Sequence, residues 1–142
     1  MPIFAERTQN MTTMRALTLL TPFLFLLMAA SCTGQPSAKD LNADEFERAL
    51  NGGGAVQLVD VRTAGEYASG HLQGAKLMDW SNGQFQKELS SLDKDKPVLL
   101  YCASGRRSDA ALNAMREAGF KDVKHMLGGI QTWARAGKPL VR

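Results

Sequence analysis

Residues Pro97 to Tyr101 read PVLLY, an unbroken apolar run. Successive side chains of a strand point to opposite faces, so a strand with no polar position has no face to give to water. Such a run is expected at the centre of a parallel sheet covered by helices on both sides. The neighbouring segments supply what that arrangement needs. Asn42-Ala-Asp-Glu45 reads as a capping box opening a short helix with Phe46, Ala49 and Leu50 on its apolar side, and Gly52-Gly-Gly54 ends it. Ala55 to Val61 is β-rich, and Thr63-Ala-Gly-Glu66 is a second capping box for a helix ending near Gly70. Ala75 to Met78 forms a strand, Ser81 caps a helix reaching Leu89 or Leu92, and Ser108 to Ala118 is helical with Gly119 as its stop. Val123 to Met126 is a further strand, and Gly128 to Ala136 a last helix ended by Gly137 and Pro139. The alternation predicts an α/β fold with a mainly parallel central sheet flanked by helices, spanning residues 41–142.

Residues 1–31 are expected to be a signal peptide and no part of that fold. Arg15 precedes an apolar run from Ala16 to Ala30 that ends in small residues, the order of a secretory signal. The run is shorter than the ~20 residues that span a bilayer as a helix, and Pro22 interrupts it. Met11 and Met14 lie just upstream, so residues 1–10 are expected to be dispensable. The segment closes with Ala29-Ala30-Ser31-Cys32, which resembles the lipobox of bacterial lipoproteins, with Ala29 where that pattern prefers Leu. Ala29 and Ser31 also fit the small-x-small pattern of an ordinary signal peptidase. Both routes cut before Cys32, and they differ in whether Cys32 carries lipid. The lipoprotein route implies an exported protein held to a bacterial membrane, in the periplasm or cell envelope, with residues 32–40 as a polar tether.

The cysteine count narrows the chemistry. Two cysteines, Cys32 and Cys102, and two histidines, His71 and His125, supply neither a disulfide framework nor a thiolate- or His-rich metal site. A formal charge of +3, dispersed along the chain, gives no nucleic-acid surface. Cys102 falls at the carboxyl end of the most buried strand, where open α/β sheets bind their ligands. It is followed by Ala103-Ser104-Gly105-Arg106-Arg107. Small residues and Gly105 allow the loop to curl with its N–H groups inward, and the next helix adds its positive end. Arg106 and Arg107 add fixed charge suited to oxyanions. All three lower the thiol pKa, the loop amides and helix end most.

Three segments together resemble the rhodanese sulfurtransferases. Cys102-Ala-Ser-Gly105-Arg-Arg107-Ser108 is similar to the family's CxxGxR active loop. Asp60-Val-Arg62, Glu66-Tyr67 and Gly70-His71-Leu72-x-Gly74-Ala75 are similar to its DVR…E-aromatic…GHI-x-GA segment. Gly128-Gly129-Ile130-x-x-Trp133-x-x-x-Gly137-x-Pro139 is similar to its closing GG-x-x-x-W…G-x-P motif. The nearest type is the single-domain, exported rhodanese of the phage-shock kind. The resemblance implies that Cys102 takes the outer sulfur of thiosulfate, or of a persulfide donor, and holds it as a persulfide. A thiophilic acceptor, cyanide or a thiol, would then remove it. It implies that Ala103, Ser104, Gly105, Arg106 and Arg107 bind the donor or the persulfide, and that no metal or organic cofactor is needed. Its loop, residues 102–107, is one residue shorter than in the phosphatase and arsenate-reductase relatives. Asp60 and Arg62 are expected to fix the strand–loop junction, Glu66 to complete its capping box, and His71 to be a hydrogen-bonded structural residue. His125 is expected to be incidental, Trp80 and Trp133 core or rim aromatics, and the lysines from Lys87 to Lys96 a solvated face. The competing class is a non-catalytic rhodanese-fold module for binding or sulfur relay. An envelope thiol–disulfide reductant is disfavoured, because no second cysteine of the domain could resolve a mixed disulfide.

Overall fold

The computed structural model describes residues 40–142. The expected signal peptide, Cys32 and the expected tether as far as residue 39 lie outside the described residues. Among the described residues, no helix is long and apolar enough to cross a membrane. The chain runs β1 (Asp40–Leu41), α1 (Ala43–Asn51), β2 (Gln57–Asp60), α2 (Ala64–Ser69), β3 (Lys76–Leu77), α3 (Gln84–Glu88) with a 3-10 turn over Leu89–Ser91, β4 (Val98–Tyr101), α4 (Arg106–Glu117), β5 (Val123–Met126) and α5 (Gly129–Arg135). The sheet has five strands in the order β1-β5-β4-β2-β3, and every pairing is parallel. The apolar run is its centre: β4 is buried at all four positions and pairs with β2 on one side and β5 on the other.

Alternation along β4 divides the core into two layers. Val98, Leu100 and Cys102 pack with Val59, Val61 and Val123 against Phe85 of α3 and Ala111, Leu112 and Met115 of α4. Leu99 and Tyr101 face the other way, with Leu58 and Met126, onto Phe46 of α1 and Ile130 and Trp133 of α5. Phe46 meets the rings of Tyr101 and Trp133 edge-on, at 6.5 and 6.4 Å. Cys102 therefore leaves β4 on the α4 face, which sends the loop after it toward the start of α4.

Both expected capping boxes form. Asn42 accepts from the backbone N–H of Asp44 and Glu45, with Glu45 bonding back, and Thr63 and Glu66 do the same for α2. Three boundaries differ from expectation. Asp40, placed by sequence in the tether, pairs with His125 as the start of β1; a two-residue strand carries no periodicity to read. The third helix begins at Gln84 after left-handed Gly83, while Ser81 is held in a turn by the Asp79 carboxylate at 2.7 Å. The fourth begins at Arg106, two residues before Ser108, because left-handed Gly105 turns the chain directly into the helix without a side-chain cap.

Candidate active site

The loop from Cys102 to Arg107 is shaped by the end of α5. Ile130 donates its N–H to the Cys102 carbonyl at 2.8 Å and Gln131 donates to the Ala103 carbonyl at 3.3 Å. With those carbonyls turned outward, the following amides are free to turn in, and Gly105 donates to Cys102 Sγ at 3.1 Å. The closeness of the approach explains the second of the paired glycines. A Cβ at Gly129, where φ is +59°, would overlap the Cys102 carbonyl and come within 2.7 Å of the Ala103 backbone.

Cys102 is a free thiol, 1% exposed. Burial opposes its ionisation most strongly, yet the backbone amides of Ser108, Ser104 and Gly105 and the Ser108 hydroxyl together outweigh burial and hold the thiol below its ordinary pKa. The Ser108 hydroxyl lies 3.6 Å from Sγ and also 3.0 Å from the Gly105 carbonyl.

The two arginines have different surroundings. Arg107 grips Glu66 with both terminal nitrogens, at 2.8 and 2.7 Å, while Glu66 Oε2 also accepts from the N–H and hydroxyl of Thr63. Glu66 therefore does more than cap α2: it ties that helix to the loop. The Arg107 guanidinium beside it lowers the Glu66 pKa to about 2 against burial, with Thr63 assisting. Glu66 in turn raises Arg107, burial opposes, and the Cys102 thiolate adds to the rise. Arg106 is exposed and has no ion-pair partner among the described residues. It lines, with Trp80, Ser104, Arg107 and Ala110, an open cavity of about 350 Å³ beside the loop. The cation free to meet an incoming anion is thus Arg106.

The other expected residues lie around this centre. Asp60 and Arg62 form a buried pair at 2.7 Å, and Arg62 also donates to the Gly70 carbonyl at 2.8 Å, joining the end of β2 to the loop after α2. Removing one partner of such a pair costs ~3–5 kcal/mol. His71 stacks on Tyr67 at 3.7 Å and donates from Nδ1 to the Tyr67 carbonyl, while its backbone bridges to Val141, away from the loop. Trp133 is core, with Nε1 donating to the Pro139 carbonyl, and Trp80 is at the rim of the cavity. His125, expected to be incidental, is buried, with Nδ1 3.1 Å from the Ser108 hydroxyl and Nε2 2.9 Å from Asp40. Strand alternation was the available signal, since it puts His125 on the same inward face as Val123. Asp40 had none. Among the described residues, no three His, Cys, Asp or Glu side chains gather as metal ligands.

The rhodanese-like domain family matches residues 42–136. The probable adenylyltransferase/sulfurtransferase MoeZ of Mycobacterium tuberculosis is 39% identical over 63% of this chain, and the chain spans only 23% of that protein. The thiosulfate sulfurtransferase GlpE of Coxiella burnetii is 35% identical, over 55% of this chain and 71% of its own. Among solved structures, a rhodanese-related protein from Thermoplasma volcanium superimposes with a TM-score of 0.65 at 27% identity, covering 72% of this chain and 97% of its own.

The Glu66–Arg107 tie makes the loop acid-sensitive. A carboxylate whose folded pKa is depressed stabilises the fold above its unfolded value of ~4.3, and that contribution is lost as pH falls toward its folded value. The stability advantage of wild type over Glu66→Gln is expected to be complete near neutrality and to vanish as the pH approaches about 2. Urea midpoints of the two proteins across that range check this; a constant difference would detach Glu66 from Arg107.

Proposed function

The chain belongs to the rhodanese-like domain family, and from that premise we propose that it is a sulfurtransferase carrying sulfur on Cys102, with thiosulfate or a persulfide as donor. One observation carries the reading: a buried thiol held below its ordinary pKa by inward-facing amides, beside an open cavity with an unpaired guanidinium. The names of its relatives, a sulfurtransferase and a thiosulfate sulfurtransferase, support the reaction class.

The residues divide the work as follows. The Cys102 thiolate attacks the outer sulfur of thiosulfate; the new S–S bond forms as the old one breaks, and sulfite leaves with the bonding pair. The anionic outer sulfur of the persulfide takes the place of the thiolate's charge among the amides of Ser104, Gly105 and Ser108, which need not reorganise to receive it. Arg106 meets the sulfonate oxygens at the mouth, while Arg107, committed to Glu66, keeps the loop in shape and lends its field to the sulfur. A cyanide or thiol acceptor then attacks the outer sulfur, and the Cys102 thiolate is restored. Neither step needs a general base once the thiolate is formed, and the position of His71 away from the loop agrees with that.

We also propose that Cys32 is acylated after signal cleavage and holds this domain at a bacterial envelope membrane, the reading supported by Ala29-Ala30-Ser31-Cys32 following an apolar run.

Thiosulfate treatment is expected to add about 32 Da to the protein, lost on adding cyanide and absent from Cys102→Ser. Intact-mass measurement reads it, and a wild type that gains no sulfur removes thiosulfate as donor. Arg106→Ala is expected to raise KM for thiosulfate about tenfold with kcat little changed, the mark of lost binding held equally in ground and transition states. Unchanged steady-state kinetics would take Arg106 out of the donor site. Labelled fatty acid is expected to enter wild type and not Cys32→Ala in cells; equal labelling of both would end the anchor proposal.

A further inference from the structure

Outside the lining of the cavity, the side chains of Asp40, His125, Ser108 and Cys102 make a continuous hydrogen-bonded line. Asp40 of β1 meets Nε2 of His125 on β5 at 2.9 Å. Nδ1 of His125 meets the hydroxyl of Ser108 on α4 at 3.1 Å, and that hydroxyl lies 3.6 Å from Sγ of Cys102 at the end of β4. The His125 side chain is 5% exposed and Ser108 is fully buried, so the middle of the line is sealed from solvent. Its outer end is wet, because the Asp40 side chain is 42% exposed. The sulfur-transfer steps described above use neither of the two residues beyond Ser108, His125 and Asp40.

The hydrogens along the line are set by what each atom can do. An ionised carboxylate only accepts, so His125 Nε2 carries a hydrogen toward Asp40. With Nδ1 bare, the single Ser108 hydrogen is contested by Nδ1, by the Gly105 carbonyl at 3.0 Å and by the sulfur. With Nδ1 protonated, the imidazolium donates to Ser108 Oγ and withdraws from that contest, so the serine hydrogen can turn to the sulfur. The sulfur holds it best as thiolate, the stronger acceptor.

We propose that His125, oriented by Asp40, is a positioning residue that takes up the Cys102 thiol proton through the Ser108 hydroxyl. The step balances with no other reactant. The proton on Sγ passes to Ser108 Oγ, the Ser108 hydrogen passes to His125 Nδ1, and a neutral thiol–imidazole pair becomes a thiolate–imidazolium pair. Ser108 ends as it began, an alcohol, with its remaining hydrogen directed at the sulfur. Asp40 balances the imidazolium from the far side.

Other groups act on the two ends. On the imidazole these are Asp40 and Ser108; its β5 neighbour Lys124 is engaged with Asp122. On the sulfur they are the amides of Ser104, Gly105 and Ser108, and the Arg107 guanidinium held by Glu66. Those amides and Arg107 stabilise the thiolate at every pH. The His125 line adds a place inside the fold for the proton. This inference supplies the thiolate that the sulfurtransferase reading begins from, but its test requires no sulfur donor.

The experiment is the pH dependence of carbamidomethylation at Cys102 in the full chain, followed on the Cys102-bearing peptide by mass spectrometry. His125→Asn and Asp40→Asn are each expected to slow alkylation near neutrality about tenfold and to leave the alkaline plateau unchanged, since only the thiolate fraction falls. Asp40→Asn keeps the shape of an exposed edge residue, so it tests the line even if His125→Asn folds poorly. In a Ser108→Ala background the further change His125→Asn is expected to have little effect, because the connection is already cut. Profiles of both Asn variants that superimpose on wild type overturn the proposal. So does an effect of His125→Asn that persists undiminished without the Ser108 hydroxyl. Failure to gain sulfur from thiosulfate with the alkylation shifts intact would instead overturn only the donor assignment.

Discussion

Everything at the candidate site depends on two carbonyls being held outward. The Cys102 and Ala103 carbonyls accept from the first amides of α5, Ile130 and Gln131. A peptide plane has its N–H opposite its C=O, so fixing the Ala103 oxygen toward α5 turns the Ser104 amide, one of the three that act on the sulfur, inward. The same contact accounts for Gly129, whose missing Cβ lets α5 approach, and for the helix start at Gly105, whose φ of +98° completes the curl. The sheet serves this arrangement by placing β4 and β5 side by side, so that the chain leaving β4 meets the helix entered from β5.

Two opposing electrostatic effects then act on one sulfur atom. Burial at 1% exposure disfavours a thiolate, and alone it would leave an inert structural cysteine. Amides converging on Sγ reverse the balance. Several partial charges at hydrogen-bonding distance, inside a medium that screens them less than water, together outweigh the desolvation. The bidentate Glu66–Arg107 pair adds a full positive charge nearby without leaving it mobile, since both guanidinium ends are committed. Holding the charge this way separates two residues that the sequence presents as a doublet: Arg107 is tied to Glu66, and Arg106 stands without an ion-pair partner among the described residues at the cavity that both line.

The sheet and the loop were legible in the sequence because their signals are local. An apolar run without polar positions, two capping boxes, and Gly105 after Cys102 each constrain a few adjacent residues. What was not legible is what depends on distant partners. Glu66 satisfies its capping box whether or not Arg107 reaches it, so the pattern Thr63-x-x-Glu66 conceals a bond across more than forty positions. Asp40 sits beside His125 only because β1 adds to the outer edge of β5, and two residues of strand leave no period to detect. Ser108 was the expected first residue of its helix, yet left-handed Gly105 starts the helix earlier and leaves the Ser108 hydroxyl to face the sulfur and His125.

In the proposed transfer, the same burial constrains how sulfur would leave again. Cys102 is the sole cysteine among the described residues, so no second thiol within the described domain can discharge a persulfide held there. An acceptor has to bring its nucleophile to a sulfur almost without exposed surface. The open cavity beside the loop is lined by Trp80 and by Arg106 and Arg107. A protein thiol acting as the proposed acceptor would have to reach past these side chains, and an acidic flank beside it would be drawn by Arg106. Under the proposed function, access to a sulfur that is 1% exposed would therefore limit which acceptors this domain could serve.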